Sequence, residues 1–222
     1  MKKTLRLSPA LVALLTLWSG CNNVPALIED VALDKAPAYT PVNHRGDARL
    51  PADVQRVAVL PIHAADSMPV ESAVSLDAVL LKALQQQTRF EVIVVSRAEC
   101  HRLFGADDFS SVSALPHGFL ETISSRYAVD AVLFTDVTTF QAYRPLTIGY
   151  RSKLATVRDI RLVWAFDEVF SADDPKMRNS MRQFYKGNDR SSPSNPLPSA
   201  LQSPSRFGAV AADLMFRTLP PR

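Results

Sequence analysis

The sequence contains little cysteine and little glycine, with 2 cysteines and 7 glycines among 222 residues. It has no C-x-x-C pair, no glycine-rich phosphate loop, no G-x-S-x-G elbow and no H-E-x-x-H helix. These are the local motifs of redox proteins, nucleotide-binding proteins, serine hydrolases and zinc peptidases. Because none is present, we expect a protein that is not an enzyme and that holds no cofactor.

The chain also lacks an excess of charge of one sign once its first residues are set aside. The formal net charge is +3, and Lys2, Lys3 and Arg6 supply all of it. The rest of the chain carries 22 basic and 22 acidic side chains. A nucleic-acid-binding protein needs a basic patch on its folded surface. We therefore expect no nucleic-acid partner.

The first feature that is present is an export signal over residues 1–20. The three basic residues precede a short apolar run from Ala10 to Leu17, and the small residues Ser19 and Gly20 follow. A charged start, a short apolar stretch and small residues before a cleavage point are typical of a secretory signal. The apolar run is too short to span a bilayer as a permanent helix.

The residue that follows this signal is Cys21. A cysteine directly after Ser19 and Gly20 resembles the lipobox of bacterial lipoproteins. In that family the thiol is diacylated, the signal is cut before the cysteine, and the new amino group is acylated. The resemblance implies that Cys21 is the lipid-attachment residue and that its acyl chains hold the protein on a membrane, since two or more chains anchor stably. Trp18 stands where the family usually has leucine, so an ordinary cleaved signal and an uncleaved anchor remain as alternatives.

The same resemblance bears on location. Asn22, rather than an aspartate, follows the cysteine. In well-studied envelopes an aspartate at that position retains the lipoprotein at the inner membrane. The resemblance therefore implies a lipid-anchored protein of the outer membrane that faces the periplasm.

With Cys21 lipidated, Cys100 has no partner for an intramolecular disulfide. We predict that it is a small buried apolar side chain. A nucleophile and an intermolecular disulfide are the alternatives. Its neighbour His101 does not by adjacency alone make a catalytic pair.

Proline content and apolar periodicity divide the rest of the chain. Prolines without a lasting apolar period predict a lipidated, flexible tether over 21–55. Residues 56–186 form the predicted α/β domain. Serine, proline and asparagine dominate 187–204, which predicts a mobile loop. Apolar residues at helical spacing predict a C-terminal helix over 205–219 that docks on the domain.

Within the domain, short β-branched runs predict five strands. In the last of them Ile160, Leu162, Trp164 and Phe166 are expected to share one buried face, because alternate side chains point the same way. The predicted strands are Arg56–Pro61, Phe90–Val95, Ala131–Phe140, Tyr150–Val157 and Ile160–Asp167.

Helical spacing predicts helices between these strands. Ser96 is expected to cap a short helix over 97–104, and Asp174 with Pro175 to open a later one. Other helices are predicted from 71 or 72 to 87 and around 119–127. The fold predicted is α/β: a single mixed sheet of about five strands with helices packed on it, ending in a β-hairpin and a C-terminal helix.

The segments Arg56–Pro61, Arg89–Ile93, Val129–Leu133 and Leu162–Asp167 show a pattern that is shared with known envelope proteins. The stretch Arg56–Phe170 resembles the curli-secretion family, the penicillin-binding-protein activator lipoproteins and the N-terminal domain of the Tol translocation protein. The resemblance implies an α/β sandwich that binds proteins and is not a catalyst. It transfers no functional residue.

Several polar residues are weighed as possible sites. Asp130, Asp136 and Asp159 lie near strand ends, where an acid–base group is one interpretation and turn or cap roles are the simpler one. The acidic residues at 167–168 and 173–174 lack the alternating ligands and glycine turn of a calcium loop. Arg45-Gly46-Asp47 spells an adhesion tripeptide, which three-residue chance matches also produce. The histidines have no zinc-ligand spacing and are predicted on the surface or in loops: His44, His63, His101 and His117.

These observations predict a membrane-anchored, periplasm-facing lipoprotein that acts as a non-catalytic binding or assembly module for another envelope protein. An exposed sheet edge or the Pro/Ser-rich loop would make the contact. A secretion-channel subunit is the first alternative, although Ala131–Val157 supplies at most one of the two lipid-facing hairpins needed and Arg144, Arg151 and Lys153 interrupt it. An envelope hydrolase with an unrecognised site is the second. The oligomeric state stays open.

Overall fold

The computed structural model describes residues 37–64, 68–188 and 201–222. In these residues six strands form one open mixed sheet in the order β1-β6-β5-β4-β2-β3, flanked by five helices. The strands are β1 (His44–Gly46), β2 (Arg56–Val59), β3 (Glu91–Val94), β4 (Ala131–Gln141), β5 (Thr147–Thr156) and β6 (Leu162–Ser171). The helices are α1 (Val70–Gln85), α2 (Arg97–Phe104), α3 (Phe119–Tyr127), α4 (Pro175–Asn188) and α5 (Pro204–Phe216).

One half of the sheet is parallel. The central strand β2 pairs in parallel with β3 on one side and with β4 on the other. Parallel neighbours need a crossover connection, and α1 provides it between β2 and β3, while α2 and α3 lie between β3 and β4. This half places the carboxyl ends of β2 and β3 side by side at one end of the sheet.

The other half of the sheet is antiparallel. Strands β4, β5 and β6 follow one another as a meander, and β1 pairs antiparallel with β6 at the far edge. Register shifts at Val137/Thr139 and at Leu154/Ala155 mark bulges, which bend a strand and re-aim its side chains.

Apolar side chains cover both faces of the sheet. On one face Phe119 and Ile123 of α3 pack with Ala58, Val132 and Phe134 in one buried cluster. On the opposite face α5 lies against α1 and β5, and the Tyr150 hydroxyl donates to the Gly208 carbonyl at 3.4 Å. A Cβ at Gly208 would lie 2.7 Å from Leu76, so this glycine allows the close approach of α5 to α1.

The sixth strand, β1, differs from the sequence prediction, which gives about five strands and places 21–55 in a flexible tether. His44–Gly46 pairs with Trp164–Phe166, and Leu50 and Val54 are buried. A three-residue strand is too short to show an apolar period in the sequence. Its position is set by backbone hydrogen bonds to β6. Residues 21–36 of the predicted tether, the signal 1–20 and most of the predicted 187–204 loop lie outside the described residues.

The β5–β6 hairpin corrects the predicted alternation. Trp164 and Phe166 are buried as predicted. The prediction is wrong for Ile160 and Leu162, which are 68% and 48% exposed. Ile160 has a φ of 53° and lies in the turn that joins the two strands. The apolar alternation in the sequence therefore begins two alternate positions, Ile160 and Leu162, before the buried part of β6.

Local capping follows the sequence. The Ser96 hydroxyl accepts a hydrogen bond from the Glu99 N–H at 3.2 Å at the start of α2. Helix α4 begins at Pro175, and the Asp174 carboxylate accepts from the Lys176 N–H at 2.8 Å. Both caps satisfy backbone donors that have no partner inside the helix.

Candidate functional site

A groove of about 300 Å³ lies between α1 and β3, at the carboxyl ends of β2 and β3. In open α/β sheets, sites for ligands form outside the carboxyl ends of the strands. The floor of the groove is apolar and includes Leu80, Leu84 and Leu133. Its walls are formed by Val59, Val74, Ala78, Leu81, Val94 and Phe216.

The mouth of this groove exposes apolar side chains. Val74 on α1 is 51% exposed and Val94 on β3 is 52% exposed. Val70, one helical turn before Val74, is 71% exposed. Val74 and Val94 thus place two exposed apolar side chains on the lining of an apolar cavity, which distinguishes this surface from scattered single apolar residues.

Strand β3 forms one edge of the sheet, and its backbone direction follows from its pairing with β2. The Glu91 N–H donates to the Gln55 carbonyl at 2.8 Å, and the Val95 N–H donates to the Val59 carbonyl at 3.0 Å. Successive residues of a strand direct their N–H and C=O groups to opposite sides. The backbone groups of Val92 and Val94 therefore point away from β2, toward the free edge.

A charged network closes one end of the groove. The Arg97 guanidinium donates through Nε to Asp77 at 2.9 Å, through Nη1 to Asp108 at 2.7 Å and through Nη2 to the Ile62 carbonyl at 2.9 Å. The Ile62 N–H donates to Asp77 at 2.8 Å. His63 Nδ1 lies 2.7 Å from the other oxygen of Asp108. With the His63 imidazole neutral, two carboxylates share one guanidinium, which leaves this end of the groove with an excess of negative charge.

The loop that carries Asp108 is tied to the sheet through Asp136, which is buried. One Asp136 oxygen accepts from the Ser111 N–H at 2.9 Å, and the other accepts from the Ser111 hydroxyl at 2.7 Å. Lys153 donates to the Ser111 carbonyl at 2.8 Å. These bonds hold the loop over β4 and fix Asp108 beside Arg97.

The three aspartates weighed as an acid–base group serve separate local roles. Asp136 holds the loop just described. Asp130 accepts from the backbone N–H groups of Gln55 and Arg56 at 2.9 and 2.8 Å. Asp159 accepts from the Thr156 hydroxyl in the β5–β6 turn, and that hydrogen bond lowers the pKa of Asp159. Each carboxylate is thus engaged in holding a loop, a strand start or a turn.

Cys100 is fully buried in the cluster formed with α3 and the sheet, as predicted. Burial raises the pKa of the Cys100 thiol to about 11. A thiol with that pKa is almost entirely protonated at neutral pH, and the thiolate is the nucleophilic form. His101 points elsewhere, with Nδ1 2.9 Å from Asp107.

The remaining polar residues singled out in the sequence stabilise the antiparallel half. Asp167 pairs with Arg151 at 2.7 Å, and Glu168 accepts from the Tyr39 hydroxyl at 2.5 Å. Arg45-Gly46-Asp47 runs through and just past β1, where Asp47 pairs with Arg161 at 2.5 Å. Among residues 37–64, 68–188 and 201–222, no three His, Cys, Asp or Glu side chains come together as a metal site.

The predicted lipid-attachment residue, Cys21, lies outside the described residues. In the part of the chain that is described, no helix combines the length and the apolar character needed to cross a bilayer.

No protein-family model matches this chain, and no curated protein matches it either. Several solved structures are similar in fold. The PelC dodecamer from Paraburkholderia phytofirmans is 15% identical with a TM-score of 0.46, over 81% of this chain and 98% of that chain. Lipoprotein GNA1162 from Neisseria meningitidis is 18% identical with a TM-score of 0.42, over 54% of this chain and 85% of that chain. The LpoB C-terminal domain from Salmonella enterica is 13% identical with a TM-score of 0.36, over 64% and 93%. All three TM-scores lie below 0.5, so these likenesses carry no weight for the function of this chain.

Sequence reasoning did not find the groove. Its walls come from α1 and β3, and Val74 and Val94 lie 20 positions apart with nothing in the sequence to pair them. One signal was available: Ser96 and Arg97 directly follow a parallel strand, which is where α/β sheets place their sites.

Proposed function

We propose that this chain is a membrane-anchored lipoprotein of the bacterial cell envelope, held through acyl chains on Cys21, which works as a non-catalytic module that binds another envelope protein. The observation that carries this proposal is Cys21 itself, placed directly after a charged start, a short apolar run and two small residues. This arrangement serves export and lipid attachment together.

Binding, rather than catalysis, is favoured because the candidate reactive groups are either buried or already engaged in hydrogen bonds within the fold. The thiol of Cys100 is buried with a raised pKa. The carboxylates of Asp130 and Asp136 are engaged with backbone and hydroxyl donors. The groove beside α1, in contrast, has an open apolar mouth, which is typical of a surface that receives a partner.

The mechanism proposed is tethering. The predicted tether that begins at Cys21 would hold the folded domain near the bilayer. A domain held that close to the bilayer meets a partner in the same envelope layer at an effective concentration far above that of a free protein. Attachment to the membrane therefore raises the apparent affinity for the partner without any additional contact between the two proteins. Asn22 after the cysteine favours the outer membrane, with the domain in the periplasm.

The anchor is tested by labelling cells that express the full chain with radioactive palmitate and then separating membrane from soluble fractions. The wild-type protein is expected to carry label and to fractionate with membranes. Cys21→Ser is expected to lose the label, because the acylated sulfur is gone. Cys100→Ser is the matched control, and it is expected to keep the label because Cys100 is a buried thiol in the folded domain.

The proposal fails if Cys21→Ser is processed and fractionated like the wild type and if neither protein incorporates palmitate. Rings that persist in mild detergent on a sizing column would instead favour the secretion-channel alternative.

A further inference from the structure

We infer that the groove between α1 and the free edge of β3 binds an extended segment of the partner protein, which adds as a new strand beside β3. The identity of that partner as an envelope protein rests on the proposed function above. Strand addition itself is a property of the folded domain, and it is tested with peptides that need no membrane and no lipid anchor.

The backbone of β3 offers the first requirement for strand addition. The N–H and C=O groups of Val92 and Val94 point away from β2, since Glu91 and Val95 use theirs toward it. An added strand would hydrogen-bond to these outward groups, as extended peptides do at exposed sheet edges. Glu91–Val94 contains neither proline nor lysine, two residues that commonly block an edge, and its one charged residue, Glu91, lies at the start of the strand, away from the groove.

The groove offers the second requirement, a receptacle for side chains. Successive side chains of a strand point to opposite faces, so every second residue of an added strand would face α1. Val74 and Ala78 on α1 and Val94 on β3 line the position that these side chains would occupy. A pocket beside the edge selects apolar residues at alternate positions, while the backbone bonds supply affinity for any sequence.

The charge at the closed end adds a preference. Asp77 and Asp108 share the single guanidinium of Arg97, and the excess carboxylate charge lies at the carboxyl end of β3. A segment with a lysine or arginine at the end that reaches this network is complementary to it. The expected partner segment is therefore extended, apolar at alternate positions and basic at one end.

The probe is a synthetic heptapeptide in which valine and serine alternate and one end carries a lysine. Two versions place the lysine at the amino or at the carboxyl end, because the direction of the added strand is not fixed by the groove. Two controls have the same length. One has its valines contiguous, and the other has glutamate in place of the lysine.

The decisive readout is amide hydrogen exchange of the full-length, unacylated Cys21→Ser protein with and without peptide. The amides of Val92 and Val94 are expected to exchange at least about tenfold more slowly with peptide, because they gain hydrogen bonds. The amides of Glu91, Ile93 and Val95 already face β2 and are expected to change much less. Protection that alternates along β3 is a signature that a nonspecific apolar contact would not produce.

Val94→Pro tests the backbone contact. Proline removes an N–H that points to the free edge, so the pairing of β3 with β2 is retained. Peptide affinity is expected to fall at least about tenfold, which corresponds to the loss of a hydrogen bond and its geometry. Val94→Thr keeps the N–H and the branched shape and is expected to bind within about threefold of the wild type.

Ala78→Arg provides a second variant in case Val94→Pro does not fold. Ala78 is an exposed position of α1 that lines the groove, so arginine is tolerated by the helix and fills the receptacle. The control is Val169→Lys on β6, an exposed valine in the other half of the sheet. Ala78→Arg is expected to abolish measurable peptide binding, and Val169→Lys to leave it unchanged.

Four results would overturn the inference. The first is that neither alternating peptide binds, and the second is that the contiguous-valine control binds equally well. The third is that laurate occupies the groove while the peptides do not, which would make it a lipid pocket. The fourth is that Val92 and Val94 become protected with rising protein concentration and no peptide, which would make the edge a contact between two copies of this chain. None of these results bears on palmitate labelling at Cys21, so this inference and the anchor proposal fail independently.

Discussion

The two edges of the sheet are built differently although they belong to the same six strands. The C-terminal tail packs beside the edge strand β1, and we call this the closed edge: Gly46 lies against Pro220 and Trp164 on one face of the sheet, and just past the strand the Leu50 N–H donates to the Pro221 carbonyl at 2.8 Å. The edge at β3 is open, with exposed Val94 beside a groove that no described strand or tail covers.

This difference shows which features protect an edge. At β1 the strand is only three residues long, contains Arg45 and has the C-terminal tail packed beside it, features that limit further pairing. At β3 three β-branched apolar residues follow Glu91, and the neighbouring helix α1 leaves a cavity beside them. A binding surface on this domain is therefore expected at β3, and variants of β1 should affect stability rather than binding.

The largest expected effect comes from removing the anchor of the closed edge. Trp164 is fully buried, its indole N–H donates to the Thr218 hydroxyl at 3.1 Å, and its ring lies near Phe216. Trp164→Ala is expected to lower the free energy of unfolding by about 4 kcal/mol, because it leaves a large cavity. Urea denaturation measures this loss. Tyr143→Ala, at an 83% exposed position, should change it by less than about 0.5 kcal/mol, and equal losses would contradict the account.

The reactivity of the Cys100 thiol tests the packing of the buried cluster between the parallel half of the sheet and α3. Its pKa is raised from 9.0 to about 11 because burial disfavours the thiolate. At about pH 8 the folded Cys21→Ser protein is therefore expected to react with a disulfide reagent at least about 100-fold more slowly than a free thiol. Urea should restore the ordinary rate. Rapid reaction of the folded protein would show that the cluster around Cys100 is open.

The raised pKa of Cys100 also makes the stability of the folded protein depend on pH. The folded state keeps the Cys100 proton to higher pH than the unfolded state, so the unfolded state binds fewer protons above its own pKa. Stability is therefore expected to fall as the pH rises from about 9 toward 11. Cys100→Ser should remove this part of the pH dependence.

Arg97 tests the closed end of the groove. Arg97→Ala removes three hydrogen bonds and leaves Asp77 and Asp108 without their shared cation. We expect a loss of about 2 kcal/mol in the free energy of unfolding. Arg102→Ala removes a pair with Glu99 on the exposed face of α2, where such a pair contributes about 0.5 kcal/mol or less. Similar losses for the two variants would mean that the network is an ordinary surface ion pair.

The smallest expected effect returns to the closed edge. A Cβ at Gly46 would lie 3.0 Å from Pro220 and 3.2 Å from Trp164. Gly46→Ala is therefore expected to lower the free energy of unfolding by about 1 kcal/mol through overpacking. Adding Pro220→Ala should recover part of that loss, because the two residues are in contact. A stabilised Gly46→Ala protein would show that the C-terminal tail yields and that the edge is loosely closed.

Sequence patterns predict the elements whose causes are local. The capping of α2 by Ser96 and the start of α4 at Pro175 each depend on residues within one helical turn. The buried positions Trp164 and Phe166 follow from alternation along one strand. Each of these features is confirmed by the structure.

The rest depends on contacts between residues distant in the chain. Strand β1 exists because β6 offers it hydrogen bonds, and the paired residues Arg45 and Ala165 lie 120 positions apart in the chain. Arg97 meets Asp77, Asp108 and the Ile62 carbonyl only after β2, α1 and β3 have assembled. The groove likewise requires the assembled sheet, so it cannot be predicted from the local propensities of the sequence.

The most direct test of the central claim is the intact mass of the mature protein purified from envelopes. We expect a chain that begins at Cys21 and carries the added mass of acyl groups at that residue. A mature chain that begins at any other residue, or one that begins at Cys21 without lipid mass, would contradict it.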